Sequence, residues 1–427
     1  MRILITGASG FIGSHIVTTL LAAQHEVIAC VRNPEYIHQR FPAIKTVNID
    51  FMTVRDPQDW LRYLHNIDVV INAVGIINES HQQSFKALHT DGPVTLFRAC
   101  ELAGVKKVIQ ISALGADDTA FSTYHLSKKA ADDMLSQCSL DWTILQPSIV
   151  IGPGAKSSSL FKAIAALPII PLIGGGKQLI QPVSIDDLTA LIHKIIESRA
   201  LNHQRVPVVG AEPVAFKLLI DRFCAWLGFR SLFYINIPYP IMLFIARITS
   251  IFTSNSPINS DSIRMLKQEN TGDSTMFIDA MQRQPLSLDD TLALQIPDQA
   301  DRWHARLYFL IPLLRIAIGL LWIITGLLSA FIFPVSESYI FLARLHIDGD
   351  MAPMLLYSAA ILDILLGMAF LFRYRIVQAG LLQIAIIITY SIFITIGLPE
   401  FWLHPFGPVT KNIPIIIATL IVMATDH

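Results

Sequence analysis

The chain has 427 residues, 53% of them hydrophobic and only 15% charged, with a net charge of −1. That length exceeds one compact domain, the apolar excess argues against a chain wholly surrounded by water, and the charge balance gives no reason to expect a nucleic-acid partner. The excess is uneven: charged and apolar residues mix up to about Arg306, whereas Ile, Leu, Ala and Phe dominate beyond it.

Met1-Arg2-Ile3-Leu4-Ile5-Thr6 runs directly into a strand-like segment, so no cleavable signal peptide is expected. Strands are predicted at residues 3–6, 26–31, 46–49, 69–72, 108–112 and 143–146, with helical periodicity at 11–23, 85–103, 124–138 and 186–198. The alternation predicts an α/β, Rossmann-type doubly wound parallel sheet. Residues 1–150 form its nucleotide-binding core, and 151–300 complete the sheet and build a small substrate lobe.

The first turn reads Gly7-Ala8-Ser9-Gly10-Phe11-Ile12-Gly13. Gly7 permits a tight turn, Gly10 lets backbone approach a pyrophosphate, and Gly13 lets the helix pack on its strand, with Ser9, Phe11 and Ile12 lining the same turn. The helix start offers free N–H groups and a positive dipole end to phosphates. After the second strand, Arg32 stands where a 2′-phosphate would lie, and no acid precedes Glu35. NADP(H) is therefore expected ahead of NAD(H), a solvated loop arginine being the alternative. Asp50 and Phe51 follow the third strand and are candidates to contact adenine. Asn72, Ala73 and Val74 follow the fourth and would border the cofactor ribose.

Tyr124-His125-Leu126-Ser127-Lys128 places a phenol and an ammonium four residues apart, on one face of a helix. A nearby cation favours phenolate, so Tyr124 would exchange a proton with a carbonyl or alcohol, with Lys128 serving both phenol and ribose. Ser112 closes the fifth strand, and its hydroxyl would bond the same substrate oxygen. The four cysteines (Cys30, Cys100, Cys138, Cys224) match no zinc or redox spacing and read as buried thiols in a reducing compartment. The thirteen histidines form no HxxxH or HExxH pattern, so no metal site is expected.

TGASGFIG, VINAVG, ISALG, YHLSK, LQPSIVIGPG and VSIDDL together resemble extended or atypical short-chain dehydrogenases/reductases. The nearest-looking branch includes the NAD(P)-binding accessory subunit of respiratory complex I. The resemblance covers residues 1 to about 290. It implies a catalytic set of Ser112, Tyr124 and Lys128, with Pro147 and Ser148 on the nicotinamide side. His89 stands where the family often has Asn, so that position receives no role. Ala113 and Leu114 follow the serine where dehydratases carry acids, which argues against sugar-nucleotide dehydration. Asp186 and Asp187 read as helix caps. Tyr239–Phe252 is apolar but too short to span a bilayer, and reads as a membrane-surface helix, a pocket lining or a core helix.

Four apolar runs follow, at 309–333, 353–372, 376–398 and 408–424, predicting an all-α, four-helix transmembrane bundle over 305–427. Arg302, Arg306, Arg373 and Arg375 fall on one side, and Arg344 and Lys411 on the other. That distribution predicts a multi-pass protein of the cytoplasmic (inner) membrane with the nucleotide-binding domain in the cytoplasm. Within the bundle, Arg315 and Asp363 are expected to pair. His404-Pro405-Phe406-Gly407-Pro408, Lys411-Asn412-Ile413-Pro414, Gly319 to Trp322, Thr325-Gly326 and Asp363 with Leu366-Gly367 resemble DoxX-like membrane proteins. The combined expectation is a membrane-anchored NAD(P)(H)-dependent oxidoreductase acting on an apolar carbonyl, alcohol or quinone. Its partners would be the lipid bilayer and an apolar small molecule. The alternative is a non-catalytic nucleotide-binding assembly or sensing subunit with a membrane-protein partner.

Overall fold

The computed structural model describes residues 1–80, 82–230, 233–252, 264 and 268–426. It divides into two compact units, Met1–Ala305 and Arg306–His427. Part of the region that the sequence assigns to the small lobe, 253–263 and 265–267, lies outside the described residues.

In the first unit, β1 (Arg2–Thr6), α1 (Phe11–Ala22), β2 (Glu26–Val31), α2 (Pro34–Arg40), β3 (Lys45–Asn48), α3 (Gln58–Leu64) and β4 (Val69–Asn72) alternate. They are followed by α4 (Gly92–Ala103), β5 (Lys107–Ile111), α5 (Thr123–Leu135) and β6 (Asp141–Pro147). Next come β7 (Val150–Ile151), α6 (Lys156–Ala165), β8 (Ile169–Ile173), β9 (Leu179–Ile180), β10 (Val183–Ser184), α7 (Ile185–Glu197) and β11 (Gln204–Val208). The main sheet has seven parallel strands in the order β11-β6-β5-β4-β1-β2-β3. Ile3, Leu4 and Ile5 are all 0% exposed, because helices cover both faces. Ile3 and Ile5 join one core with α1 and α7, while Leu4 joins the other with α3 and α4. The order reverses between β1 and β4, which opens a crevice at the carboxyl ends of those strands.

The sequence reading stops at six strands in this sheet. β11 reads RVPV, and Pro207 weakens the pattern; the strand survives because it pairs only with β6, at the sheet edge where proline is tolerated. Asp187 also departs from its reading as a cap. Ser184 caps α7, whereas Asp187 is fully buried and accepts from Arg283 Nη2 (2.6 Å) and Leu286 N (2.7 Å), tying in the later chain. The four cysteines are free and buried.

The small lobe packs Phe161, Ile170, Leu172, Ile180, Leu219 and Phe223 around the parallel pair of β8 with the strand Phe233–Ile237. In the helix Tyr239–Phe252, the side chains of Ile241 and Phe244 are 51% and 64% exposed. A core helix would not leave them so, which favours the surface reading for this half of it.

The second unit holds three helices long and apolar enough to cross a membrane: Leu310–Ile332, Met351–Leu371 and Ile376–Gly397. A fourth, Asn412–Thr425, has 14 residues. At ~1.5 Å per residue it reaches only ~21 Å, so the fourth full-length span is not present among the described residues. Large apolar side chains such as Leu320, Ile324, Phe331, Leu365 and Ile396 point outward, as a lipid-facing surface requires. Arg373 pairs with Asp426 (2.6 Å) and Arg344 with Glu400, so chain-end and loop charges meet in two separate places. Gly319 and Gly367 let the first two helices touch backbone to backbone, since a Cβ at Gly319 would sit 3.0 Å from the Gly367 carbonyl oxygen.

The expected pair of Arg315 with Asp363 does not form. Arg315 is 5% exposed and its Nη1 donates to the carbonyls of Phe370 (3.0 Å) and Leu371 (3.1 Å), while Asp363 Oδ1 is buried without a hydrogen-bond partner. The last carbonyls of a helix have no intrahelical donors, and in hydrocarbon they compete for the guanidinium. Arg315→Leu and Asp363→Leu should therefore destabilise additively, within about 0.5 kcal/mol, in a double-mutant cycle read by thermal unfolding in detergent. A coupling above about 1 kcal/mol would restore the ion pair.

Candidate active site

The turn between β1 and α1 is tight because Gly7 has φ +70°, and a Cβ there would lie 2.7 Å from the Ala73 carbonyl oxygen. At Gly13 a Cβ would overlap the Gly7 carbonyl itself. At Gly10 the Gly7 oxygen is the only neighbour within 4 Å, at 3.2 Å, so this backbone is approachable from outside. The first turn of α1 carries no acid and no side-chain cap, and Ser9 and Gly10 are exposed with Phe11 and Ile12 half-buried. Uncapped amides beside exposed glycine backbone fit a dinucleotide pyrophosphate.

At the strand ends, Thr6, Asn72 and Gln110 form a buried rung across β1, β4 and β5. Thr6 Oγ1 donates to Asn72 Oδ1 (2.6 Å), and Asn72 Nδ2 donates to Gln110 Oε1 (2.7 Å). The Asn72 side chain is thus committed to the sheet, and Ala73 and Val74 line the crevice with their backbone, half-buried. Phe51 departs from its expected place against adenine: it is 4% exposed, its ring set edge-on to Trp60 in the core. Asp50 is half-buried and caps its own turn by accepting from Met52 N (2.9 Å). Arg32 is exposed beyond β2 and faces the Gln83 amide, whose oxygen accepts from Nη2 at 2.9 Å when turned toward it. Pro147 offers its carbonyl to Leu114 N (3.0 Å), and Ser148 is buried, its hydroxyl donated to the Gln181 carbonyl.

Tyr124 and Lys128 lie one turn apart on α5, which Ser122 caps. The Tyr124 ring is half-buried and held edge-on by Phe85, His89 and His125, with centroids at 5.9, 5.5 and 5.2 Å. Its hydroxyl takes no hydrogen bond from the described residues. Burial, and then the charge of Asp132, push the phenol up to about 12. The expected lowering by Lys128 is not seen, because its Nζ is turned onto the carbonyls of Val74 (3.1 Å) and Ile111 (3.0 Å). Burial holds that ammonium down at about 8, against an opposing pull from Asp132.

Two further residues stand beside this set: Asp132, which the sequence reading did not name, and His89, to which it gave no role. Asp132 is 0% exposed, one turn beyond Lys128, and accepts a hydrogen bond from the Ser112 hydroxyl. Burial raises its carboxyl, with Ser112 and Lys128 opposing. Ser112, 4% exposed, is therefore bonded to Asp132, not presented as a free donor to substrate. The periodicity 124, 128, 132 is the signal that would have drawn attention to this acid. His89 is 0% exposed, in a π-helical turn Lys86–Asp91. Its Nε2 accepts from Ile76 N (3.0 Å), so the proton sits on Nδ1, which donates to Ser127 Oγ (2.9 Å). Burial, then the Lys128 charge, lowers His89 to about 2, and the ring is neutral.

Residues 7–159 match the NAD(P)H-binding family and residues 319–420 match the DoxX-like family. The chain is 26% identical over 208 residues to the ceramide reductase of Caulobacter vibrioides, covering 48% of this chain and 62% of that protein, less than two thirds of its length. It is 25% identical over 297 residues to the Arabidopsis thaliana NADH dehydrogenase [ubiquinone] 1 alpha subcomplex subunit 9, covering 66% and 72%. The NADPH-dependent quinone oxidoreductase of Escherichia coli superposes with a TM-score of 0.56 at 17% identity, over 68% of this chain and 99% of that one, a likeness of fold. The chain thus joins an NAD(P)-binding Rossmann domain to a C-terminal DoxX-like domain that carries helices long and apolar enough to cross a membrane.

Proposed function

We propose that this protein is a membrane-anchored NAD(P)(H)-dependent oxidoreductase that reduces an apolar, membrane-partitioning carbonyl or quinone, or runs the reverse oxidation. The observation that carries this reading is the Tyr124 hydroxyl, free among the described residues and one helical turn from Lys128, whose ammonium bridges the loop after β4 and the end of β5. When bound, the dinucleotide supplies or accepts hydride. At neutral pH Tyr124 is a phenol, so it gives its proton to the substrate oxygen as hydride arrives at carbon, and carbonyl becomes alcohol. His89 and Phe85 fix the ring, Lys128 ties the loop after β4 to the end of β5 beside it, and Asp132 with Ser112 balances the buried ammonium. The glycine turn of Gly7, Gly10 and Gly13 would hold the pyrophosphate, and Ala73, Val74, Pro147 and Ser148 the ribose and nicotinamide side. The apolar helices, a relative named as a ceramide reductase and a structural neighbour named as a quinone oxidoreductase support a membrane-partitioning substrate. The arginine distribution supports placing the Rossmann domain on the cytoplasmic side of the inner membrane.

Purified protein in lipid nanodiscs should oxidise NADPH when offered short-chain quinones or long-chain ketones, followed at the nicotinamide absorbance band. A second reading, a nucleotide-binding assembly or sensing subunit, draws on the Ser112 hydroxyl being committed to Asp132. Dinucleotide binding with no turnover across that panel would favour it. The exposed Arg32 underlies the cofactor preference: NADPH should bind more tightly than NADH, and Arg32→Ala should remove about 1.5–3 kcal/mol of the difference. Equal calorimetric affinities in the wild type would count against it.

A further inference from the structure

On the far side of α1 from its glycine turn, the chain turns through Gln24 (φ +61°) into β2 and places His25 against the last turns of α7. There it meets His193 and Glu197, which lie four residues apart and share a face of that helix. One donor atom from each of His25, His193 and Glu197 falls within 4.8 Å of the others. The two rings stand with centroids 5.6 Å apart, and His193 Nε2 lies 3.6 Å from Glu197 Oε1. Both Nε2 atoms are buried and have no hydrogen-bond partner among the described residues. The other nitrogen of His25, Nδ1, is 3.5 Å from the Met1 amine, so it is Nε2 that turns to the cluster.

Two buried ring nitrogens without partners are a cost that a protein rarely leaves standing. Two imidazoles and one carboxylate with donor atoms this close together are a first-row divalent-metal donor set, with a fourth position left for water. The last turn of a helix also favours a cation through its dipole. We propose that His25, His193 and Glu197 bind a zinc-class divalent ion, outside the nucleotide site and not anticipated by the histidine spacing in the sequence. The ion would tie the end of the nucleotide-binding helix α1 to α7. The side chains need only small rotations, because ligand distances of about 2.0–2.2 Å bring the three donors closer together than they stand here.

The test uses the full chain in detergent, carrying a tag without histidines and stripped with a chelator, titrated calorimetrically with zinc and separately with cobalt. One equivalent should bind in the micromolar range, and saturating zinc should raise the Tm by about 5–10 °C. His25→Ala and His193→Ala should each weaken binding at least about tenfold and abolish the shift, while His203→Ala, a histidine of another surface, should change neither. Glu197→Gln, at an exposed position that the fold does not need, keeps the test informative if a histidine variant misfolds, and it too should weaken binding. Absence of micromolar binding, or affinity unchanged in Glu197→Gln and in whichever histidine variant folds, would overturn the site.

Discussion

Replacing Tyr124 with Phe should cut turnover by about 10²–10⁴-fold while leaving dinucleotide affinity within about twofold. The phenol donates no hydrogen bond to the described residues, so its loss removes a reacting proton and little else; the ring stays wedged between Phe85, His89 and His125. The pH profile of the wild type gives the companion readout. The phenol, raised to about 12, keeps its proton across the working range, whereas Lys128 at about 8 does not. Reduction should therefore hold level near neutrality and fall as pH rises through about 8, where the ammonium that ties the Val74 carbonyl to the Ile111 carbonyl is lost. Single-turnover rates of Tyr124→Phe equal to the wild type would end the proposed mechanism.

Gly13→Ala should be strongly destabilising. Its Cβ would overlap the Gly7 carbonyl, a backbone group that cannot rotate aside, so α1 must move off β1. A cost of about 3–4 kcal/mol is in keeping with forced backbone displacement in a packed core, and corresponds to a Tm loss of about 6–15 °C. Gly10→Ala provides the contrast. There the only near atom is at 3.2 Å, so stability should fall little, yet the methyl points into the space that phosphate would approach. Calorimetry should find Gly10→Ala folded and defective in nucleotide binding, and Gly13→Ala defective in both. Wild-type stability in Gly13→Ala would contradict the packing described.

What was legible in the sequence was local. The spacing of Gly7, Gly10 and Gly13 and of Tyr124 and Lys128 is set by a few residues of one turn or one helix, and six of the seven strands announce themselves by apolar runs. Contacts that depend on distant chain segments were not. Nothing local tells that Ser112 meets Asp132, 20 residues on, or that Asp187 holds Arg283. Phe51 looked available to adenine because burial by Trp60 is a tertiary fact. The Arg315 reading failed for a related reason. The sequence shows two charges within apolar runs, but not the competition from the helix-end carbonyls of Phe370 and Leu371. Three histidine-cluster donors that come from residues 25, 193 and 197 likewise carry no spacing signature.

The edge strand β11, and Phe277, which is 0% exposed in the same core as Ile3, have a consequence for synthesis. The dinucleotide domain cannot be completed when its glycine turn and YxxxK helix have been made, because the first core still lacks pieces from residues 204–208 and 277. The first membrane-length helix begins at Leu310, 33 positions after Phe277. At about 5–20 residues per second, the ribosome allows roughly two to seven seconds between the two events. A nascent chain halted between β6 and β11 would carry β6 as a bare hydrogen-bonding edge, so such a stall leaves a sticky fragment with no membrane-length helix yet made to draw it to a bilayer.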